Sequence, residues 1–425
     1  MPKKASIVVT GSGAICGSGK APGDILAALL AGRSAIGPIS AWDASGWPVQ
    51  LASEVVDYSP ATLTGDRKLL KLIRRSDVFG LYAAAQAIDG AGFAPYRDAL
   101  DEAAAAEFAD TTGIYVGSGS GAYQNQYDYF PLMSAAGESL EAFGRELDAN
   151  VNPMWLLKSL PNNVLCHVGI RHGLKGPNAC ITNHSVSGTL AVIEAAEALR
   201  HDECERAVAV GHDAPIEPQA VLYYHRVGLL SDEGLRPFDA SRSGSVMGEG
   251  AAALVLETEA SARSRKASVL GEVLGSGCGS DAMGLLPIRE DGDGLARAIE
   301  AALADAGLRP IDVGMIVAHG NGTRPSDLSE ARAIQRVFGS AAPPITGLKW
   351  AFGHLLAASG IIEAVVALAA LSARAVPGIA NLAALDAECA GMPISAKPQA
   401  PRTDVALVLS RGFGGTNAAL VLRAA

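Results

Sequence analysis

Apolar, β-branched runs alternate along this chain with segments of helical hydrophobic period. Residues 5–10 (ASIVVT) read as a strand, followed by a glycine turn and a helix around 22–31. A helix near 76–91 precedes a strand at 112–117. An extended run at 178–184 leads into a helix over 188–200, and a strand follows at 206–211. Residues 251–257 (AAALVLE) form a further strand. The theme then recurs, with strands at 267–275, 313–318 and 344–347 and helices at 294–306, 329–337 and 355–373. Two strands, 404–410 and 418–423, close the chain around RGFGGTN. This alternation predicts parallel sheets covered on both faces by helices. It falls into two runs, 1–255 and 256–425, which are expected to share an architecture. The stretch 101–108 (DEAAAAEF) is expected to be a helix rather than low complexity.

The chain has 425 residues, 49% of them hydrophobic, which suffices for a large core. Only 5% are aromatic, while 48 are glycine, so helices and strands can approach closely. A net charge of −10 argues against nucleic acid or an anionic membrane as partner. Cys16, Cys166, Cys180, Cys204, Cys278 and Cys389 form no CxxC pair and are irregularly spaced. That reads as reduced thiols, with neither a disulfide framework nor a zinc site. The opening MPKKASIVVT runs straight into a strand, and no apolar run is long enough to span a bilayer. The expectation is a cytoplasmic protein.

Two glycine-rich stretches invite over-reading. In Gly11-Ser12-Gly13-Ala14-Ile15-Cys16 a cysteine stands where the third glycine of a dinucleotide fingerprint belongs, so a tight strand-to-helix turn is expected instead. In GSGSGAY (117–123) the glycines permit close backbone crossing. Asp232 and Glu233 read as a solvated loop rather than a cation site.

Three constellations carry chemistry. In ITNHSVSG (181–188) Ser185 lies where a strand turns into a buried helix. The free N–H groups and dipole of a helix start favour an anion there, which suits a nucleophile and its oxyanion. Ser185 could equally cap the helix, as serine does well. In IVAHGNGTRPSDLSE (316–330) a strand delivers His319 at its carboxyl end, where ligands bind in parallel α/β sheets. A glycine-rich loop with Asn321 and Thr323 follows, then a helix carrying Asp327 and Glu330. In GLKWAFGHLLAASG (347–360) a strand leads to Lys349, and His354 opens a small-residue helix. Glu330 could hold Lys349 charged, and Lys349 could order the histidines. Two histidines at strand ends, with a serine at a third, point to one site.

These blocks resemble the β-ketoacyl-acyl-carrier-protein synthases of the elongating type, in the thiolase-like superfamily. VVTGSGAICGSG with LLAGRSAIGPI, then LKGPNACITNHSVSG, LRPFDASRSGSVMGEGAAALVLE, AHGNGTRPSDLSE, LKWAFGHLLAASG and RGFGGTNAALVL follow in the family's order, over nearly the whole length. The resemblance implies two similar βαβ halves in a five-layer α-β-α-β-α arrangement. It implies a homodimer, or a heterodimer with a related ketosynthase. It also implies condensation of an acyl group with malonyl held on the phosphopantetheine of an acyl carrier protein, with no tightly bound cofactor. By the same resemblance His319 and His354 support decarboxylation, with Lys349 and Glu330 as the charged pair around them. Thr323 and Asn321 would contact the phosphopantetheine arm. Phe413 would gate the acyl pocket, flanked by Gly412, Gly414 and Gly415; residues 124–130 (QNQYDYF) would help shape it.

One position departs from the pattern. The family carries cysteine, usually after Thr-Ala, where this chain reads Asn183-His184-Ser185. Cys180, five residues earlier, cannot stand in. The novelty of Asn183-His184 speaks for divergence of the whole segment rather than an engineered serine. A thiol at a helix start ionises readily, whereas a serine hydroxyl needs a neighbouring base. His354 is expected to be that base. His184 is the less favoured candidate, because neighbours along a strand point to opposite faces. Three activities follow: condensation through an acyl-serine ester, decarboxylation of malonyl carrier protein or acyl transfer, and a silent partner of the chain-length-factor kind. Retention of His319, Lys349, His354 and Glu330 speaks against the last.

Overall fold

The computed structural model describes residues 5–119 and 129–425; most of the 124–130 stretch lies outside them. The strands are β1 (Ile7–Cys16), β2 (Ile36–Pro38), β3 (Leu51–Ser53), β4 (Thr112–Ser118), β5 (Asn178–Ile181), β6 (Arg206–Asp213) and β7 (Met247–Gly248). They continue with β8 (Gly250–Thr258), β9 (Gly271–Ser280), β10 (Met315–Ala318), β11 (Ile345–Gly347), β12 (Val405–Gly412) and β13 (Thr416–Ala424). Ten of them pair in the order β11-β10-β12-β13-β9-β1-β8-β6-β4-β5, while β2, β3 and β7 form a small separate sheet.

The long sheet reads the same way from either end. Three parallel strands (β5, β4, β6 or β11, β10, β12) are followed by two antiparallel ones (β8, β1 or β13, β9). Among the described residues the two runs pair only through Ile7–Val9 with Gly271–Val273. The expectation of wholly parallel sheets is therefore corrected. Parallel neighbours need a crossover of roughly a dozen residues or more. β12 instead returns directly as β13 through the Phe413–Gly415 turn, so that pair must run antiparallel.

The glycines after the first strand are likewise not a turn, since β1 continues through Cys16. A Cβ on Gly11 would stand 2.0 Å from Ala87 O, and one on Gly13 2.2 Å from Ala83 O. The glycines let the helix Arg75–Gly90 lie directly on β1. That helix covers β1, β8 and β6 from outside, and Asp293–Ala306 covers β9 and β13. Ser187–Arg200 and Ser359–Ser372 lie between the two runs of strands and touch both. The order of layers is α-β-α-β-α.

Ser359–Ser372 (SGIIEAVVALAALS) is buried on nearly all sides, as its all-round apolar sequence requires. The local chain path into it repeats the path into Ser187–Arg200. Each begins with a residue of positive φ, His184 (48°) or Leu356 (43°), in a 3₁₀ turn, His184–Val186 or Leu356–Ala358. In each a serine at the helix start accepts from a backbone N–H four residues back, Asn183 N to Ser187 Oγ (2.8 Å) and Leu355 N to Ser359 Oγ (3.0 Å). The two turns meet back to back. A Cβ on Gly188 would lie 2.5 Å from Ala357 O, and one on Gly360 1.8 Å from Thr189 Oγ1. Among the described residues no helix is long and apolar enough to cross a membrane.

Gly188→Val should therefore destabilise the protein by about 1–3 kcal/mol or more, the usual cost of overpacking. The measurement is the urea unfolding midpoint, which should fall. An unchanged midpoint would mean that the two central helices can separate at little cost.

Candidate active site

The carboxyl ends of the strands converge on one cavity of about 280 Å³. Ser185, His319, His354, Asn321, Thr323 and Phe413 all line it, joined by His184, Gly412 and Arg411. Residues far apart in sequence are thus brought together. Lys349 and Glu330 do not line it; both are fully buried behind His319. Cys180 is not at the cavity, and its thiol donates to Pro161 O at 3.4 Å.

Ser185 is 2% exposed and sits on the 3₁₀ turn ahead of Ser187–Arg200. Gly117 on β4 makes room for this helix start, since a Cβ there would lie 2.3 Å from Ser187 C. Ser185 does not cap the helix by its side chain. Its Oγ instead lies 2.8 Å from His184 Nδ1. The imidazole at hydrogen-bond distance is thus that of His184 rather than that of His354, the base expected from the sequence. The alternation rule that disfavoured His184 holds for strands, but β5 ends at Ile181, and His184 has a left-handed backbone in a 3₁₀ turn. That geometry turns its ring back onto the next side chain.

His184 is held on its other edge and on one face. Its Nε2 is 3.1 Å from Tyr224 Oη, and the Phe413 ring stacks on it with centroids 4.5 Å apart. Burial pushes its pKa down to about 4, so the ring is neutral at physiological pH. A neutral ring with its proton on Nε2, donated to Tyr224, presents Nδ1 as an acceptor for the serine proton.

The two other histidines are arranged as donors. His354 Nδ1 accepts from Leu356 N (3.1 Å) and lies 3.2 Å from Ser359 Oγ. His319 Nδ1 accepts from Arg411 N at 3.4 Å. With Nδ1 occupied by a backbone N–H, a neutral imidazole carries its proton on Nε2. Burial, reinforced by the Lys349 charge, holds both rings well below the usual histidine range and therefore neutral. Their ring centroids are 5.2 Å apart.

His319 is clamped through its own backbone. Glu330 accepts from His319 N (2.7 Å) and Gly320 N (2.9 Å), and Lys349 Nζ donates to His319 O (2.6 Å). The ion pair of Lys349 is not with Glu330 but with Glu363, at 2.6 Å, on the buried helix Ser359–Ser372. Glu363 was not singled out from the sequence, although a lone carboxylate in an otherwise apolar helix was a usable signal. Arg411, one residue before Gly412 in RGFGGTN, was also passed over. It is buried, bonds Asn417 Oδ1 and Ser326 O (both 3.0 Å), and lines the cavity.

At the mouth, Thr323 N (2.9 Å) and Oγ1 (2.8 Å) both donate to Asn321 Oδ1. Asp327 holds the same loop by accepting from Gly322 N (3.2 Å) and Phe238 N (2.9 Å). Of the glycines beside Phe413, Gly414 and Gly415 have φ of 78° and 71°, which favours glycine, whereas Gly412 is ordinary extended chain. Among the described residues no group of three His, Cys, Asp or Glu could hold a metal ion.

Comparison with known proteins identifies the family. Residues 4–262 match the family model for the N-terminal domain of beta-ketoacyl synthase, and residues 270–383 match the one for its C-terminal domain. The chain is 31% identical to 3-oxoacyl-[acyl-carrier-protein] synthase 2 of Coxiella burnetii, over 99% of both proteins. It is 34% identical to the Synechocystis protein of the same name, over 99% of this chain and 98% of that one. The ishigamide ketosynthase/chain length factor superposes with a TM-score of 0.89 at 28% identity, covering 99% of this chain and 100% of that one. The two halves wrapped around a pair of central helices are the thiolase-like arrangement, and the chain belongs to the β-ketoacyl synthase family.

Proposed function

We propose that this protein is a ketosynthase that holds its acyl group as an ester on Ser185, with His184 as the base. The observation that carries this reading is the 2.8 Å contact of Ser185 Oγ with a buried, neutral His184 whose far nitrogen is engaged by Tyr224. Its substrates are an acyl group and malonyl, each carried as a thioester on an acyl carrier protein, the carrier that the relatives' names contain.

In the first half-reaction Oγ attacks the thioester carbonyl while its proton passes to His184 Nδ1. The N–H groups of Ser185 and Phe413 hold the oxyanion; a Cβ on Gly412, just before Phe413, would lie 3.6 Å from Ser185 N. The C–S bond breaks, and the proton on His184 passes to the departing thiolate. In the second, the Nε2–H groups of His319 and His354 polarise the thioester carbonyl of malonyl. Its carboxylate leaves as carbon dioxide, and the enolate carbon attacks the ester carbonyl. The C–O bond breaks, and one proton from solvent reaches Oγ through His184. Thr323 and Asn321 guide the phosphopantetheine arm at the mouth, and Phe413 gates the acyl pocket. Lys349 and Glu330 position His319 without touching substrate. The reading places the protein in the cytoplasm, with 1–255 supplying the nucleophile and 256–425 the decarboxylating pair. It assembles with itself or with a related ketosynthase.

A second reading keeps the transferase class. The two histidine donors are complete without Ser185, so the same site could decarboxylate malonyl carrier protein or transfer its acyl group elsewhere. The silent-partner reading, in the sense of a chain-length factor, leaves three buried, oriented imidazoles without a task.

Incubation with an acyl carrier thioester followed by intact-protein mass measurement should give a one-acyl adduct, absent in Ser185→Ala. Release of carbon dioxide without any adduct would replace condensation by decarboxylation. His184→Ala should slow adduct formation by about 100- to 10,000-fold, the usual contribution of a general base. His354→Ala should leave adduct formation within a few-fold and abolish decarboxylation. The opposite pattern would return the base to His354.

The pH profile follows from burial. The base works when unprotonated, above its pKa, and burial lowers that pKa to about 4. Single-turnover acylation should therefore be level from about pH 8 down to pH 5.5, without the inflection near 6.5 expected of an exposed histidine. An acid limb centred near 6.5 would exclude the buried His184 as base.

A further inference from the structure

His184 also walls a second cavity of about 280 Å³ that Ser185 does not line. Its other walls include Asp213, Glu217, Tyr224 and Leu356. Two buried carboxyls are unusual lining for a space adjoining an acyl site. Asp213, at the end of β6, is satisfied: its Oδ1 accepts from Ala214 N (2.9 Å) and its Oδ2 from Ala357 N (3.3 Å). Glu217 is not. It is 7% exposed, precedes the helix Pro218–Arg226 without capping it by its side chain, and its Oε2 has no hydrogen-bond partner. The cation whose charge reaches both carboxyls, Arg74, is itself paired with Asp77.

A buried carboxylate oxygen without a donor carries an uncompensated desolvation cost, so this arrangement asks for a missing donor. Burial raises Asp213 to about 6; burial together with the Asp213 charge raises Glu217 to about 7. An aliphatic chain would leave that cost in place. A cation with N–H groups would satisfy Oε2 and offset both carboxyls.

We propose that this second cavity receives the far end of the acyl group borne by Ser185, and that this end carries an ammonium-type cation held by Glu217 and Asp213. The proposal rests on the ester reading above. His184, with the Phe413 ring stacked on it, lines both cavities and is the wall between them.

The test uses carrier-protein thioesters of two groups of matched length, 4-aminobutyryl and pentanoyl. The wild-type protein should acylate Ser185 with aminobutyryl at least tenfold faster than with pentanoyl, read by intact mass. Glu217→Leu, of similar volume, should abolish or invert that preference. Equal rates in the wild type, or a preference unaltered by Glu217→Leu, would overturn the proposal while leaving the ester reading intact. A second measurement does not involve the nucleophile. Free 4-aminobutyramide should bind the wild type and Ser185→Ala in saturation-transfer NMR, free pentanamide should not, and folded Glu217→Gln should lose the signal. If that binding is seen but no ester forms with any donor, the cavity assignment stands and the ester reading falls. If 4-aminobutyramide does not bind and loading is not selective, the assignment falls.

Discussion

The site exists because two helix starts meet at their glycines. Ser187–Arg200 and Ser359–Ser372 approach so closely at Gly188 and Gly360 that no side chain fits between them. That contact joins the half that bears Ser185 to the half that bears His319 and His354. It also sets both helix starts, with their free N–H groups, at one place. The hydrogen bond between Thr189 Oγ1 and Ser410 Oγ (2.7 Å) ties the same crossing to β12, whose end presents Phe413. A wider crossing would carry Ser185 away from His319 and His354.

Around that crossing the charges are arranged in two tiers. The inner tier is neutral: three imidazoles that burial keeps unprotonated. The outer tier is ionic, with Lys349, Glu363 and Glu330 fully buried behind His319. Buried ion pairs contribute little net stability, and their loss is costly chiefly because the partner is stranded. Their value here is geometric, since the peptide of His319 is gripped at both its N–H and its C=O. The ammonium also helps keep the two histidines neutral, which preserves their role as donors.

Exchange of a thiol for a hydroxyl shifts the burden of activation. A thiolate at a helix start needs little more than the dipole. A hydroxyl needs a base within hydrogen-bond reach, and the imidazole within that reach of Ser185 is that of its immediate neighbour in the chain. The same imidazole that faces Ser185 also faces the second cavity, so a change at 183–185 touches both the chemistry and the walls of the adjoining space.

The linear pattern was enough for the alternation of strands and helices, for the two-part build, and for His319, His354 and Ser185 as members of one site. Periodicity and strand-end position are local properties, and the motif blocks carry them. Three things were decided only in the folded chain. Strand direction depended on connection paths, so the short turn after Gly412 forced β13 antiparallel where alternation suggested parallel. The partner of Lys349 was Glu363 rather than Glu330, because burial opposite a neighbouring helix, not distance in sequence, selects an ion pair. The imidazole in contact with Ser185 was that of His184, because one left-handed residue in a 3₁₀ turn reverses the direction of a side chain, and no composition or period records a φ angle.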